Sequence, residues 1–310
     1  MNKSVIWSGS GLVIIDKPRG PSSHQVTAWV GDLLGSHTGH SGTLDPKVSG
    51  ILLVMLGNAV RLAPLLLQHE KEYVCLMRLQ GDVTREQLER VTLDFTGRIY
   101  QRPPRRSAVK RNLRIRTIHG IEILSVEGRL VLFRVRCDAG TYIRSLCHHI
   151  GLALGVGAHM QELRRTRSGI FSEQDAHTLH ELIDACDKAR HGDHASLNAM
   201  ILPVDKTVPD LPKIVVRDSA VDAICHGARL AAVGITRCDP FKKGDMVAVL
   251  TSAGGFICLG KGLVPSSGFR PGDTGIVIVP VAVFMKPGTY PKGWRKASEK
   301  TVLESSHSKG

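Results

Sequence analysis

One acidic residue stands by itself in a segment suited to hold a reactive group. Asp45 lies in the run Gly39–Pro46 and is the only acid between Asp32 and Glu70. A carboxylate on a loop can attack an electrophilic carbon or accept a proton. Asp-Pro pairs also open turns, so the residues around Asp45 leave a structural role open beside a catalytic one.

The chain lacks the sequence patterns of the common cofactor and metal sites. It has no G-x-x-x-x-G-K-[ST] loop, no dinucleotide fingerprint after a strand and no H-E-x-x-H. Its seven cysteines are scattered and form no C-x-x-C pair, which predicts neither a disulfide framework nor a zinc site. The histidine pairs at 148/149, 177/180 and 191/194 have no partners at ligand spacing, so we interpret them as surface or packing residues. We expect chemistry by side chains alone, in a reducing cytoplasm.

The charge balance points to a polyanion. Lys and Arg number 41 against 28 Asp and Glu, which gives a net charge of +13 and a pI near 9.6. A charge excess of this size favours nucleic acid as partner, although solubility alone is the competing explanation. No apolar stretch approaches the roughly 20 residues that span a bilayer, so no membrane partner is expected.

The sharpest basic feature runs from Arg98 to Arg116, with eight Lys or Arg residues and no acid. Pro103-Pro104 prevents a continuous helix there. With Tyr100 inside it, the segment is predicted to be an extended loop that contacts phosphates. The cations expected to make these contacts are Arg105, Arg106, Lys110 and Arg111.

The elements before and after Asp45 follow from local patterns. A strand at Gly11–Ile15 is expected to end in a tight turn, after which Ser22 and Gln25 form a capping box. Apolar residues at helical spacing follow, and Gly35 closes that helix; they are Val26, Trp29, Val30, Leu33 and Leu34. The segment Ser36–Ser49 is predicted to be a loop, and Ile51–Leu56 a strand buried on both faces.

Further elements complete a two-domain organisation. The predicted strands are Tyr73–Leu79 and Leu130–Cys137. The predicted helices are Asp82–Val91, one that begins within Gly140–Leu146, and Asp175–Ala189. A basic turn is predicted at Leu163–Gly169. Prolines 203, 209 and 212 mark a boundary. We therefore predict a catalytic domain at 1–208 containing the basic loop 98–116, a small mostly-β domain at 209–287 with a hairpin at Gly254-Gly255, and a polar tail at 288–310.

The segment Gly39–Val54, GHSGTLDPKVSGILLV, resembles the signature of the TruB/dyskerin family of pseudouridine synthases. The resemblance continues in the family's order up to about residue 180, through Gly11–Pro18 with Ser22, Lys71–Tyr73, Gly140–Leu146 and Leu163–Gly169. The stretch Val216–Ala228 then resembles the start of a PUA domain, as carried by archaeal and eukaryotic members. The archaeal members are the most similar.

This resemblance implies an α+β protein: a pseudouridine synthase fold, with a mixed, largely antiparallel sheet and flanking helices, plus a small mostly-β PUA domain. It implies an isomerase that converts uridine to pseudouridine in structured RNA without a cofactor. Asp45 would be the nucleophile, Tyr73 would stack on the base and accept the C5 proton, and Arg144 would pair with Asp45. The residues implied in substrate binding are Lys17, His40, Tyr142 and Leu163, with the basic loop as a mobile thumb. Contacts of the RNA backbone with this loop and with the arginines of 164–167 would offset the cost of unstacking the base.

Three alternatives remain open on the sequence. The chain could modify U55 of tRNA alone, or serve as catalytic subunit of an archaeal H/ACA guide-RNA particle that modifies rRNA with small companion proteins. A catalytically silent RNA-binding scaffold is the third. Only ten residues precede Gly11, fewer than in archaeal relatives. Either the start is placed late or a strand that completes the PUA side is missing, which bears on particle assembly.

Overall fold

The computed structural model describes residues 5–103 and 112–291. The chain forms two compact units that divide between Thr207 and Val208. Among the described helices, none is long and apolar enough to cross a membrane. The seven cysteines are all free thiols.

The first unit is built on a ten-stranded mixed sheet. Its strands are β1 Gly11–Lys17, β2 Thr38–Ser41, β3 Ser49–Leu56, β4 Lys71–Leu79, β5 Gly97–Gln101, β6 Arg114–Glu127, β7 Leu130–Cys137, β8 Ala158–Ser168, β9 Phe171–Ser172 and β10 Leu202–Pro203. Their order is β10-β1-β3-β8-β4-β7-β6-β5, with β2 paired to β3 and β9 to β8. Only β3 and β8 run parallel among these neighbours, so the expected largely antiparallel sheet is confirmed.

Helices cover this sheet and close two apolar cores. They are α1 Ser23–Leu34, α2 Ala63–Leu67, α3 Arg85–Asp94, α4 Ile143–Ala153, α5 Leu179–Arg190 and α6 Ala195–Met200. One core joins β1 and β3 to α1 and α5, and the other joins β4 and β7 to α3 and α4. The catalytic candidates lie where β3, β4 and β8 adjoin, between those two cores.

Helix α1 forms as its sequence predicts. Ser22 and Gln25 make a reciprocal capping box, and Gly35 ends the helix in the left-handed conformation at φ 65°. The buried face carries Val26 and Val30, whereas Trp29 is 45% exposed. The predicted helix is confirmed, and Trp29 lies off its buried face.

Three predictions needed correction. The segment 36–49 is not entirely loop, because residues 38–41 form β2 along β3. The ends of the basic segment 98–116 belong to the paired strands β5 and β6, where an extended loop was expected. Residues 163–168 are the second half of β8, a central strand, where a basic turn was expected. In each case partner strands supply backbone hydrogen bonds that local composition does not reveal.

The second unit is a six-stranded sheet with one helix, as the mostly-β prediction required. Its elements are β11 Lys213–Val216, α7 Asp218–Cys225, β12 Leu230–Ala231, β13 Ile235–Cys238, β14 Met246–Leu250, β15 Phe256–Gly262 and β16 Ile276–Val283. The hairpin predicted at Gly254-Gly255 is confirmed, because β14 and β15 pair antiparallel and the Gly254 backbone adopts φ 83°.

Candidate active site

Asp45 lies on the exposed loop between β2 and β3. Its Oδ2 accepts a hydrogen bond from Nη2 of Arg144, at 2.6 Å. Both side chains are more than half exposed, at 60% for Asp45 and 53% for Arg144. Arg144 is the second residue of α4, so the rigid start of that helix holds the guanidinium over a carboxylate that remains open to a ligand.

The backbone beside Asp45 is fixed from α1. The Oγ of Ser23 donates to the carbonyl of Leu44 at 2.9 Å and accepts from the Leu44 N–H at 2.8 Å. Ser23 is fully buried at the first turn of α1. The first residue of α1 therefore also sets the position of the residue before Asp45.

The other side of Asp45 is fixed from β1. Lys17 is fully buried, and its Nζ donates to the carbonyls of Pro18 and Pro21 at 2.8 Å each and of Pro46 at 3.5 Å. Burial lowers the pKa of Lys17, Arg165 lowers it further, and Asp45 opposes both. Lys17 thus ties the turn after β1 to the residue that follows Asp45.

His40 supports the same loop from β2. Its Nδ1 lies 3.0 Å from Oγ1 of Thr27 and its Nε2 lies 3.1 Å from Oγ1 of Thr43. The Thr27 hydroxyl already donates to the carbonyl of Ser23, so we assign the proton to Nδ1 of His40. Burial lowers the pKa of His40, and the positive charges of the neighbouring His24 and Arg165 lower it further, so the neutral ring is favoured.

Tyr142 is the residue before α4, and a glutamine holds its backbone. Gln101, at the end of β5, donates through Nε2 to the Tyr142 carbonyl at 3.2 Å and accepts from the Tyr142 N–H at 2.9 Å. Gln101 is 2% exposed. Sequence reasoning missed this residue, because a glutamine inside a basic segment has no pattern that predicts a contact 41 positions away.

Tyr73 and Leu163 come from the two central strands. Tyr73 lies on β4 opposite Arg165 of β8, and Leu163 lies opposite Cys75. Burial raises the pKa of Tyr73, while the adjacent Arg165 guanidinium lowers it and the negative charge of Asp45 raises it. The pKa of Tyr73 therefore responds to the charges of both Arg165 and Asp45.

Arg165 is the largest departure from the sequence interpretation, which treated 164–167 as surface cations for RNA. Arg165 is 1% exposed, and its Nε donates to the carbonyl of Ile51 at 2.8 Å. Its neighbour Arg164 is engaged by the carboxylates of Asp16 and Glu173. Arg167 alone among the three arginines is largely exposed, so the predicted phosphate contact has one open cation here.

Other predicted binding residues fall elsewhere. Arg105, Arg106, Lys110 and Arg111 lie outside the residues that the structure describes.

A groove of about 720 Å³ runs along α1 and β2 and includes His24 and His40 in its lining. The groove therefore borders the Asp45 loop on its His40 side.

Family models and similar proteins match this chain over most of its length. Residues 33–143 match the family model of the TruB family pseudouridylate synthase N-terminal domain, 144–209 that of the tRNA pseudouridylate synthase B C-terminal domain, and 212–279 that of the PUA domain. The chain is 50% identical to the probable tRNA pseudouridine synthase B of Methanosarcina barkeri, over 92% of this chain and 86% of that protein. The corresponding protein of Methanopyrus kandleri is 51% identical, with 92% and 85% covered.

Solved structures agree with the fold. A Cbf5–Nop10–Gar1 complex matches with a TM-score of 0.84 at 50% identity, over 91% of this chain and 87% of the matched chain. An H/ACA RNP bound to a substrate RNA matches with a TM-score of 0.83 at 47% identity, over 92% and 88%. With its matched catalytic and PUA regions, this chain belongs to the TruB family of pseudouridine synthases, which are isomerases.

Proposed function

We propose that this chain converts uridine to pseudouridine in structured RNA, with Asp45 as the nucleophile. The observation that carries the proposal is an exposed carboxylate that Arg144 orients and whose negative charge raises the pKa of Tyr73. The loop that holds Asp45 is anchored on both sides by Ser23 and Lys17. Because a carboxylate of this kind is already ordered, no free energy is needed to position it during the reaction.

The reaction exchanges one bond for another without redox change. The N1–C1′ glycosidic bond breaks, the uracil turns, a C5–C1′ bond forms, and the C5 proton is lost while N1 gains one. Asp45 would attack a carbon atom of the sugar or of the base, or it would assist the departure of the uracil from the sugar. Tyr73 would stack on the uracil and accept the C5 proton, and stacking of this kind contributes roughly 1–3 kcal/mol.

The remaining residues would hold the substrate. Tyr142 and Leu163 would line the base pocket, while Lys17 would support the loop through backbone carbonyls. His40, in its neutral form, would lie next to the flipped nucleotide. Flipping a base costs a few kcal/mol, which contacts from the basic segment and the PUA domain would offset.

The RNA that delivers the uridine has two candidate sources. The similar proteins of M. barkeri and M. kandleri are each named probable tRNA pseudouridine synthase B, whereas the matched structures are a Cbf5–Nop10–Gar1 complex and an H/ACA RNP bound to a substrate RNA. We propose action on tRNA U55 and, as a catalytic subunit with such companions and guide RNA, on rRNA. Both place the protein in the cytoplasm.

The deciding experiment incubates the purified chain with unmodified tRNA and maps pseudouridine. Product at U55 without guide RNA supports standalone action. Product that requires guide RNA and companion proteins supports the particle. No product under either condition, from a folded protein that binds RNA, contradicts the catalytic proposal and favours a scaffold.

The basic segment is tested by charge reversal. We expect Arg105→Glu, Arg106→Glu and Arg111→Glu together to weaken RNA binding and reduce the slope of log affinity against log salt by about 2, since each phosphate contact contributes roughly 0.7–0.9 to that slope. Measuring affinity between low and physiological salt checks it. An unchanged slope contradicts phosphate contact by this segment.

A matched variant controls for net charge. Three exposed cations on α3, α5 and β4 can be reversed to the same total charge; they are Arg90, Lys188 and Arg78. We expect these reversals to lower affinity at low salt while changing the slope less. Equal slopes for both triple variants would assign the effect to net charge alone.

A further inference from the structure

Arg165 is buried beneath the Asp45 loop and touches three elements. Its Nε is bonded to the carbonyl of Ile51 on β3, at 2.8 Å. Tyr73 lies opposite it on β4, and the guanidinium lowers the pKa of the Tyr73 hydroxyl. A Cβ on Gly42 would approach its Nη1 to 3.1 Å, so the guanidinium packs directly against the loop that leads to Asp45.

An irregularity in strand pairing aims this side chain inward. Tyr73 is opposite Arg165, but the preceding Glu72 is opposite Arg167, which leaves Thr166 as an extra residue on β8. Arg165 and Thr166 are therefore both buried, where regular alternation would expose one of them. Bulges of this kind redirect side chains and are frequent beside active sites.

Among the described residues, no carboxylate balances the charge of Arg165. No carboxylate in residues 5–103 or 112–291 forms an ion pair with it, and its buried Nη2 makes no hydrogen bond. Two further buried cations, Lys17 and Lys71, are close enough to interact with it electrostatically. A buried guanidinium without a counterion opposes folding, so packing alone does not account for an arginine at this position.

We propose that Arg165 is a positioning residue of the isomerisation, which holds the Tyr73 hydroxyl through its spare N–H and favours negative charge above it. This inference rests on the proposed function. When the glycosidic bond breaks, the detached uracil carries the bonding electron pair, and a positive charge fixed beneath the base stabilises that anion. Apo hydrogen bonds at such sites often tighten only when the substrate is bound.

The pH dependence gives an independent readout. The charged and titratable groups facing Tyr73 are Arg165 from β8, Cys137 from β7 and Asp45 from its loop; burial raises the pKa of Tyr73 and Arg165 opposes that rise. Without the guanidinium the pKa of Tyr73 increases. If Tyr73 accepts the C5 proton, the limb of kcat that rises with pH then moves to higher pH.

The experiment compares Arg165→Met, Arg165→Lys and the control Arg134→Gln in single-turnover assays with the RNA that the wild type modifies. Arg134 pairs with Glu122 and lies opposite Val74, so it is on the face of the sheet opposite to Tyr73. We expect Arg165→Met to reduce kcat about 100-fold with KM nearly unchanged, as for loss of a preorganised donor. Arg165→Lys should recover part of that loss, and Arg134→Gln should behave as wild type.

Thermal unfolding separates positioning from structural support. Because methionine removes a buried unpaired charge at similar volume, we expect the Tm of Arg165→Met to match or exceed that of the wild type. A lower Tm with an unchanged rate for the folded fraction overturns the inference. So does an unshifted pH profile in Arg165→Met. If that variant does not fold, an undiminished kcat in Arg165→Lys overturns the inference instead.

The two proposals fail in different ways. A wild-type chain that makes no pseudouridine on any supplied RNA contradicts the proposed function. A fully active wild type with an equally active Arg165→Met contradicts only the role of Arg165.

Discussion

The outer and inner sides of the Asp45 loop carry positive charge in opposite ways. On the outer side, the half-exposed Arg144 donates to a half-exposed carboxylate. On the inner side, Lys17, Lys71 and Arg165 are buried and donate to backbone carbonyls. An exposed pair contributes at most about 1 kcal/mol to stability, whereas buried cations without carboxylates cost stability. The outer charge orients the carboxylate, and the inner charges shape the field around it.

The largest expected effect is on the carboxylate that both sides share. Asp45→Asn keeps the shape but removes the nucleophile, so we expect turnover to fall by more than about 1,000-fold. RNA affinity should stay nearly unchanged. Pseudouridine mapping and a binding titration measure the two quantities, and wild-type turnover in this variant would refute Asp45 as nucleophile.

The outer side is tested by Arg144→Gln. Without its donor the carboxylate is free to rotate, and misplacement of a reactive group by about 1 Å can cost around 100-fold in rate. The unfolding free energy should change by less than about 1 kcal/mol. Arg134→Gln, which loses a similarly exposed 2.7 Å pair with Glu122, is the control for rate and stability. Equal rates in both variants would show that Arg144 acts only as a surface charge.

The inner side depends on a close backbone approach at Gly50. Its φ is 103°, and a Cβ there would lie 2.2 Å from the carbonyl oxygen of Arg165. We expect Gly50→Ala to lower the unfolding free energy by about 3 kcal/mol. Gly97, with φ 106° and open space around it, isolates backbone strain, and Gly97→Ala should cost about 1 kcal/mol. Urea unfolding measures both losses of unfolding free energy. If the two losses are equal, the close packing of β8 against Gly50 contributes nothing beyond backbone strain.

The smallest effect concerns Lys71, whose Nζ donates to the carbonyl of His69 at 2.6 Å. Burial lowers its pKa from 10.5 to about 8, and the charge of Arg165 adds to that shift. Between about pH 8 and 10.5 the unfolded chain binds a proton that the folded chain has released, so stability rises with pH there. We expect a rise of about 1–3 kcal/mol in the wild type relative to Lys71→Met. If the unfolding free energies of the wild type and Lys71→Met change in parallel with pH, Lys71 is solvated in the folded protein.

Regular local patterns were sufficient for several elements. The capping box at Ser22 predicted the start of α1, and the apolar run at Ile51–Leu56 predicted β3. Both signals come from residues close in sequence. The strand β2 was missed because its four residues, Thr38–Ser41, are small and polar, and only pairing with β3 makes them a strand.

The sequence by itself determined the family, the candidate nucleophile Asp45 and the two-part organisation, because these depend on a long ordered motif and on composition. Tertiary structure alone decided that Arg165 lies inside while Arg167 lies outside. Both occur in one basic run, and which of them is covered depends on β8 lying between β3 and β4. Burial is set by neighbours distant in the chain, so a charge pattern along one strand does not determine it.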